Sequence, residues 1–248
     1  MATIRSHPVL SIIKALSLSK RQGGVRYSVI DKSFINTNSP QRKNMKTKKV
    51  PDTYLSQPDK NSTKKQAKYA ALCGEKDVLE LGGVAGVFVD MCLEAGAKSV
   101  VSIDRYPLGP KVIKYDILKY LNDTKKKFDI VYARHMIEHF QPSDVIYMMK
   151  QTYKILRKGG MFVIVIPNLN NIAVATNEFW REFEHVRPYS STGVRQNLEQ
   201  AGFAVEKVSQ DYDSWDNSWY KNMIRSIRSL IVGIPYETPD VYLIAVKK

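Results

Sequence analysis

The 248-residue chain has only two cysteines, Cys73 and Cys92. They form no CxxC pair and have no His/Cys cluster nearby, so no disulfide framework, zinc site or other metal is expected, and both read as ordinary buried thiols. No apolar run approaches the roughly 18 residues that a membrane-spanning helix needs. The longest, Met161 to Pro167, reads as a buried strand. Acidic residues are absent from residues 1–28 and scarce up to residue 70, where 15 Lys and Arg face 3 Asp and Glu. Over the rest of the chain the count is 23 against 21, so the net charge of +14 belongs to the N-terminal arm. Such an arm attracts nucleic acid, acidic lipid or an acidic partner, or is a solvated tail.

Within that arm, Val9, Ile12, Ile13 and Leu16 fall at helical spacing with Lys14, Lys20 and Arg21 interspersed. An acid-free, basic, amphipathic start fits an organellar transit segment as well as a tail. Without transit, a cytoplasmic location is expected. Residues 36–66 are rich in Asn, Ser, Pro, Gln and Lys and read as a linker. Order is expected to resume near Ser62, with Ala67, Ala70 and Ala71 in a lead-in helix. The boundary is therefore drawn between a basic extension, 1–61, and a domain, 62–248.

From Asp77 onward strands and helices alternate. Strands are expected at Val78–Leu81, Ser99–Ile103, Lys111–Tyr115, Phe128–Ala133, Met161–Ile166, Phe203–Val208 and Val241–Val246. Phe88, Met91, Cys92 and Ala95 mark one helix face. A second helix starts near Pro142, buries Val145, Met148, Met149, Thr152, Tyr153 and Leu156, and is expected to stop at Gly159-Gly160. A third spans Thr192–Ala201 and stops at Gly202. This alternation predicts an α/β fold, a doubly wound, mainly parallel seven-stranded sheet with helices on both faces. Residues 211–239 are an insertion before the last strand. Tyr220, Met223, Ile224, Ile227, Leu230 and Ile231 make an apolar stripe there, expected to pack on the sheet; a lid or a membrane-surface contact is the alternative.

The chemistry is concentrated in Val78-Leu79-Glu80-Leu81-Gly82-Gly83-Val84-Ala85-Gly86, a buried strand entering a glycine turn and then a helix. Glycines there take dihedrals closed to other residues and let a ligand approach the backbone. The helix start offers free N–H groups. Asp104 ends the second strand, 18 residues after Gly86, where an acid can accept two hydrogen bonds from ribose hydroxyls. Asp116 and Ile117 end the third strand. Glu80 beside the turn would repel a pyrophosphate and suits a ligand bearing an ammonium and a sulfonium.

Glu80-Leu81-Gly82-Gly83-Val84-Ala85-Gly86 resembles the first motif of the class I (Rossmann-like) S-adenosylmethionine-dependent methyltransferases, usually written ELGCGxG. Phe128-Asp129-Ile130-Val131 followed by Ile137-Glu138-His139 is similar to the family's FDxV…LEH, and Leu156-Arg157-Lys158-Gly159-Gly160 to its LKPGG turn. Pro167-Asn168 matches a frequent end of the fifth strand. Glu184-His185-Val186-Arg187-Pro188-Tyr189-Ser190, with Ala201-Gly202-Phe203, resembles a segment of small-molecule and glycan methyltransferases. One position departs: Val84 stands at the family's middle glycine, and Gly83, at the usual Cys, is expected to take up the unusual dihedral.

The resemblance implies an antiparallel last strand inserted between the fifth and sixth. It implies S-adenosylmethionine as cofactor, held by Glu80, Gly82, Gly83, Gly86, Asp104, Asp116, Ile117 and Arg134. His185 and His139 are the candidate bases, ahead of His135, since histidine titrates near neutrality. No Asp/Asn-Pro-Pro-Tyr/Phe tetrapeptide follows the fourth strand, which argues against methylation of exocyclic amines. The expected activity is methyl transfer to a small molecule or saccharide group, on oxygen. The alternatives are a nucleic-acid-associated methyltransferase or a non-catalytic methyltransferase-like protein, either recruited through residues 1–61.

Overall fold

The computed structural model of the chain describes residues 19–22, 25–28, 60–212, 219–232 and 237–248. The chain divides into two units, residues 1–50 and 51–248. In the first, β1 (Ser19–Gln22) and β2 (Val25–Ser28) pair antiparallel, Gln22 opposite Val25. The helical spacing from Val9 to Leu16 lies outside the described residues, as does most of the 36–66 linker.

The second unit begins with α1 (Lys60–Ala70) and a 3₁₀ turn, Ala71–Cys73. Then follow β3 (Asp77–Leu81), α2 (Val87–Glu94), β4 (Ser99–Asp104), β5 (Ile113–Lys114), α3 (Ile117–Asp123) and β6 (Phe128–Arg134). Next are α4 (Pro142–Ile155), β7 (Leu156–Pro167), α5 (Ser191–Gln200), β8 (Phe203–Gln210), α6 (Trp219–Val232) and β9 (Asp240–Lys247). The strands form one seven-stranded sheet in the order β5-β4-β3-β6-β7-β9-β8. Strands β3 to β7 pair in parallel, and β9 runs antiparallel between β7 and β8, as expected.

Two-residue alternation along the strands builds the two sides of the sheet. Leu79, Leu81, Val131, Ala133, Phe162, Ile164, Leu243 and Ala245 join a core that includes Ile117 and Leu121 of α3, Val145 and Met148 of α4, and Val194 and Leu198 of α5. Val78, Ile130, Tyr132, Val163, Val165 and Tyr242 point the other way, into a core with Tyr69, Cys73, Phe88 and Cys92 from α1, the turn after it, and α2. Both faces are covered, which explains the unbroken apolar run Phe162–Ile166. Cys73 and Cys92 are buried and free, their Sγ atoms 3.2 Å apart.

Two expectations are corrected. Helix α4 ends at Ile155, before the glycine pair, and Gly159-Gly160 lies within β7 instead of stopping the helix. Phe128 faces Leu156 while Ile130 faces Met161, so β7 bulges there. Gly159 supplies a φ of +75°, and a Cβ at Gly160 would sit 2.9 Å from the Arg157 carbonyl. The α6 stripe does not pack on the sheet: Tyr220, Met223, Ile224, Ile227, Leu230 and Ile231 are exposed, Leu230 to 86%.

Helix α1 is fixed to the sheet by an aromatic and ionic anchor. The Tyr69 ring lies 5.5 Å from that of Tyr132 and 5.6 Å from that of Tyr242. Its hydroxyl donates to Asp211 Oδ2 at 2.7 Å, and Lys68 pairs with the same buried carboxylate. Burial and the Asp211 charge push the Tyr69 hydroxyl well above its ordinary pKa, so it stays a donor. Tyr69→Phe is expected to lower unfolding stability by about 1–2 kcal/mol in a urea titration. A chain starting at Pro51 should keep the full-length midpoint; if it unfolds, the arm belongs to the core.

Candidate functional site

The turn after β3 is shaped by one hydrogen bond. Glu80 is buried, and its Oε2 accepts from Ser102 Oγ of β4 at 2.6 Å. Burial pushes the Glu80 carboxyl up; the Ser102 hydroxyl opposes this and the Asp104 charge adds to it, for a pKa of about 7. A Cβ at Gly83 would lie 1.8 Å from Ser102 Oγ and 2.5 Å from Glu80 Oε2, so only glycine fits over this pair. Gly82 and Gly86 take positive φ values of 83° and 76°, and Gly86 caps α2. The expected transfer of the unusual dihedral to Gly83 does not occur. Val84 itself adopts a φ of +41°, a costly conformation for a β-branched residue. It is held there at both ends: its N–H donates to Asp104 Oδ2 at 3.3 Å, and its carbonyl accepts from Leu108 N at 2.9 Å.

Asp104 is buried at the end of β4, with Oδ1 also accepting from Tyr106 N at 2.6 Å. Each carboxylate oxygen keeps capacity for another donor such as a ribose hydroxyl. Asp116 caps α3 through Lys119 N at 3.0 Å and pairs with Arg105 at 2.8 Å. Ile117 is buried behind it. Arg134 ends β6, its Nη2 3.3 Å from Asp240 Oδ2 at the start of β9. All eight residues assigned to the cofactor thus lie at or just beyond the carboxyl ends of parallel strands, where open α/β sheets bind ligands.

His135 has a φ of +46° and bridges two acids, Nε2 to Asp240 Oδ1 and Nδ1 to Glu138 Oε1, each 3.3 Å. Burial lowers its pKa, but the Asp240 carboxylate and both ion-pair contacts outweigh it and bring it to about 9. Asp240 is buried, which opposes ionisation; His135 and Arg134 nevertheless hold it at about 2.

His139 ends the 3₁₀ turn Ile137–His139, and His185 follows the 3₁₀ turn Phe179–Arg181. The segments are clasped by the Val186 and Arg187 N–H groups, which donate to the Glu138 carbonyl at 2.8 and 3.3 Å. The two rings lie 4.8 Å apart between centroids, and Phe179 stacks on His185 at 4.4 Å. His139 Nδ1 is 3.2 Å from the Glu184 carbonyl and His185 Nδ1 is 2.6 Å from that of Phe179. A carbonyl only accepts, so both Nδ1 atoms carry a proton, and in the neutral form of each ring Nε2 is the atom with the lone pair. Glu182 completes the cluster, its Oε2 3.4 Å from His185 Nε2. The structure thus joins the two candidate bases and adds Ser102, Asp240 and Glu182, which sequence reasoning did not single out. The Glu182/His185 spacing of three residues was the available signal for the last.

This strand order, with its reversed last strand and glycine turn, defines the class I S-adenosylmethionine-dependent methyltransferase fold. Residues 53–208 match the family described as Methyltransferase domain. A curated relative from Mycolicibacterium smegmatis, named "Probable S-adenosylmethionine-dependent methyltransferase", is 28% identical over 145 residues, 54% of each chain. The chain thus spans about half the length of that relative. Among solved structures, a SAM dependent methyltransferase from Archaeoglobus fulgidus is similar with a TM-score of 0.63 and 22% identity, over 79% of this chain and 97% of that one. The N-methyltransferase NodS from Bradyrhizobium japonicum aligns at 0.51 and 17% identity, over 74% and 93%. Magnesium protoporphyrin IX methyltransferase from Synechocystis, with bound SAH, aligns at 0.50 and 11%, over 75% and 83%. The chain belongs to the methyltransferase-domain family.

Two outcomes follow for stability. The raised pKa of His135 stabilises the fold fully below the unfolded value of about 6.5, and that contribution is lost as pH rises through about 9. His135→Asn should flatten the pH dependence of the urea midpoint across that window. Val84→Gly should raise unfolding stability by about 1 kcal/mol, because it removes a left-handed penalty of about 1–2 kcal/mol at some cost in chain entropy. A loss of stability in that variant would show that Val84 is not strained.

Proposed function

We propose that this chain transfers the methyl group of S-adenosylmethionine to an oxygen of a small molecule or saccharide. The observation that carries the proposal is the His139/His185 pair, whose Nδ1 atoms donate to carbonyls and leave both Nε2 atoms as the accepting positions of the neutral rings, at the same sheet edge as the glycine turn and Asp104. In this reading Gly82, Gly83 and Gly86 let the cofactor approach the backbone, Asp104 accepts from its ribose, and ionised Glu80 faces its cationic end. The proton of the acceptor hydroxyl passes to a histidine Nε2. The oxygen bonds to the methyl carbon as the carbon–sulfur bond breaks, and S-adenosylhomocysteine leaves. The sulfonium already activates the carbon, so the protein's share is positioning and proton removal. The missing amine-type tetrapeptide supports oxygen over an exocyclic nitrogen.

Calorimetric titration with S-adenosylmethionine, with NAD as control, tests the cofactor. Asp104→Ala should weaken binding by about tenfold or more, since hydrogen bonds to charged groups contribute about 1.5–3 kcal/mol. Unchanged affinity would remove Asp104 from the site. His185→Gln should keep cofactor affinity and slow transfer by about 10²–10⁴-fold.

The charge of residues 1–70 supports a second reading, in which the arm guides the domain to nucleic acid. Full-length affinity for RNA or DNA should then fall steeply with salt and vanish in a chain starting at Pro51. No binding at low salt would leave targeting or a passive tail.

A further inference from the structure

We infer that His139, His185 and Glu182 form a binding site for one divalent transition cation of the zinc type. Each residue offers one ligand atom, and the three atoms lie within 4.8 Å of one another. Ligand atoms about 2.0–2.1 Å from a tetrahedral zinc sit roughly 3.3 Å apart. The His185 Nε2–Glu182 Oε2 separation of 3.4 Å already meets that. The longer separations, up to 4.8 Å, are those to His139; closing them takes a small shift of that ring, which the 51% exposed side chain of Glu182 can follow by changing rotamer. His185, by contrast, is only 9% exposed and held by the stacked Phe179 ring.

The hydrogen bonds behind the rings carry the inference further than proximity does. Metal-ligating histidines donate their other N–H to a carbonyl or carboxylate, which fixes the tautomer and raises ligand basicity. Both rings here have that arrangement, to the Glu184 and Phe179 carbonyls. The neighbouring Glu138 is buried, its carboxylate 3.3 Å from His135 Nδ1 and its backbone carbonyl holding the clasp beside the cluster. Two imidazoles and one carboxylate suit zinc or iron over calcium, which takes oxygen ligands. Three protein ligands leave a coordination position open for an outside oxygen. A cation there would occupy the Nε2 lone pairs and replace the histidines as the means of deprotonation: it would lower the pKa of a bound acceptor hydroxyl, which would release its proton to solvent before the oxygen takes the methyl group. That role rests on the proposed methyl transfer; the binding site itself does not.

The test uses the full chain, stripped with a chelator and dialysed. Zn²⁺ is titrated in competition with a chromophoric chelator, and Co²⁺ is added separately to read its visible ligand-field bands. Saturation at about one equivalent is expected, with cobalt bands of a low-coordinate nitrogen–oxygen site. Glu182→Gln and His185→Gln should each weaken binding by about 10–100-fold, and His7→Gln, far along the chain, should not. Glu182→Gln changes a half-exposed side chain and keeps the test independent of folding. Absence of saturable zinc binding, or affinity unchanged from the unsubstituted chain in the Glu182 and His185 variants, overturns the site. S-adenosylhomocysteine affinity of the stripped protein is measured in parallel. Its loss would overturn the proposed activity and leave the metal result standing; its retention without zinc binding would leave the histidines as proton acceptors only.

Discussion

Burying ionisable acids at the edge of an apolar sheet is the constraint on which the rest of this site depends. An isolated carboxylate taken out of water is unfavourable by several kcal/mol unless it is paired or protonated. Asp211 has Tyr69 and Lys68. Asp104 has the N–H groups of Val84 and Tyr106. Asp240 has Arg134 and His135. Apart from Tyr106, each partner comes from another segment, so satisfying the acids also joins α1 to the end of β8, the β3 turn to β4, and the end of β6 to β9. Glu80 differs. Its one donor, Ser102, leaves its pKa near 7, poised to ionise when a cation arrives.

The Glu80–Ser102 bond also explains the departure from the family's glycine pattern. It fills the space a Cβ at residue 83 would need, so the residue must be glycine whatever its dihedral. The left-handed step then falls on residue 84, where the chain has valine. Asp104 and Leu108 clamp that residue from both sides, and such clamping lets a strained conformation persist. The price of a side chain in this turn is local strain, and the turn keeps its shape.

The fold was legible because its signals are periodic. Buried runs such as Phe162–Ile166 mark strands covered on both faces, and Val145, Met148, Met149 and Thr152 mark one face of α4. The reversed β9 was legible only through the family resemblance, since its apolar pattern fits either direction. Gly159-Gly160 misled because glycine pairs serve helix ends and β-bulges alike, and the choice depends on the Asp129 and Arg157 carbonyls packed beside Gly160. The α6 stripe misled because amphipathic spacing says that a face is apolar, not what covers it. Asp104 and the glycine turn were legible from local order. Glu182 was signalled only by its three-residue spacing from His185, since the clasp at Glu138 is what brings both to His139; Asp240 was not legible, because its partners Arg134 and His135 became neighbours only through the insertion of β9.

Under the proposed function, acceptor choice falls to the excursion between β7 and α5, outside the sheet. After β7, Asn168 and Asn171 donate to the carbonyls of Thr238 and Glu237, tying the start of the excursion to the approach of β9. The excursion then carries Glu182 and His185 back to His139. It exposes Ile172, Trp180, Phe183 and Val186, Phe183 fully. Large apolar side chains grouped on one segment mark a contact surface more often than chance exposure does. Under the proposed methyl transfer, the acceptor meets the segment that places two imidazoles, a carboxylate and an apolar rim together.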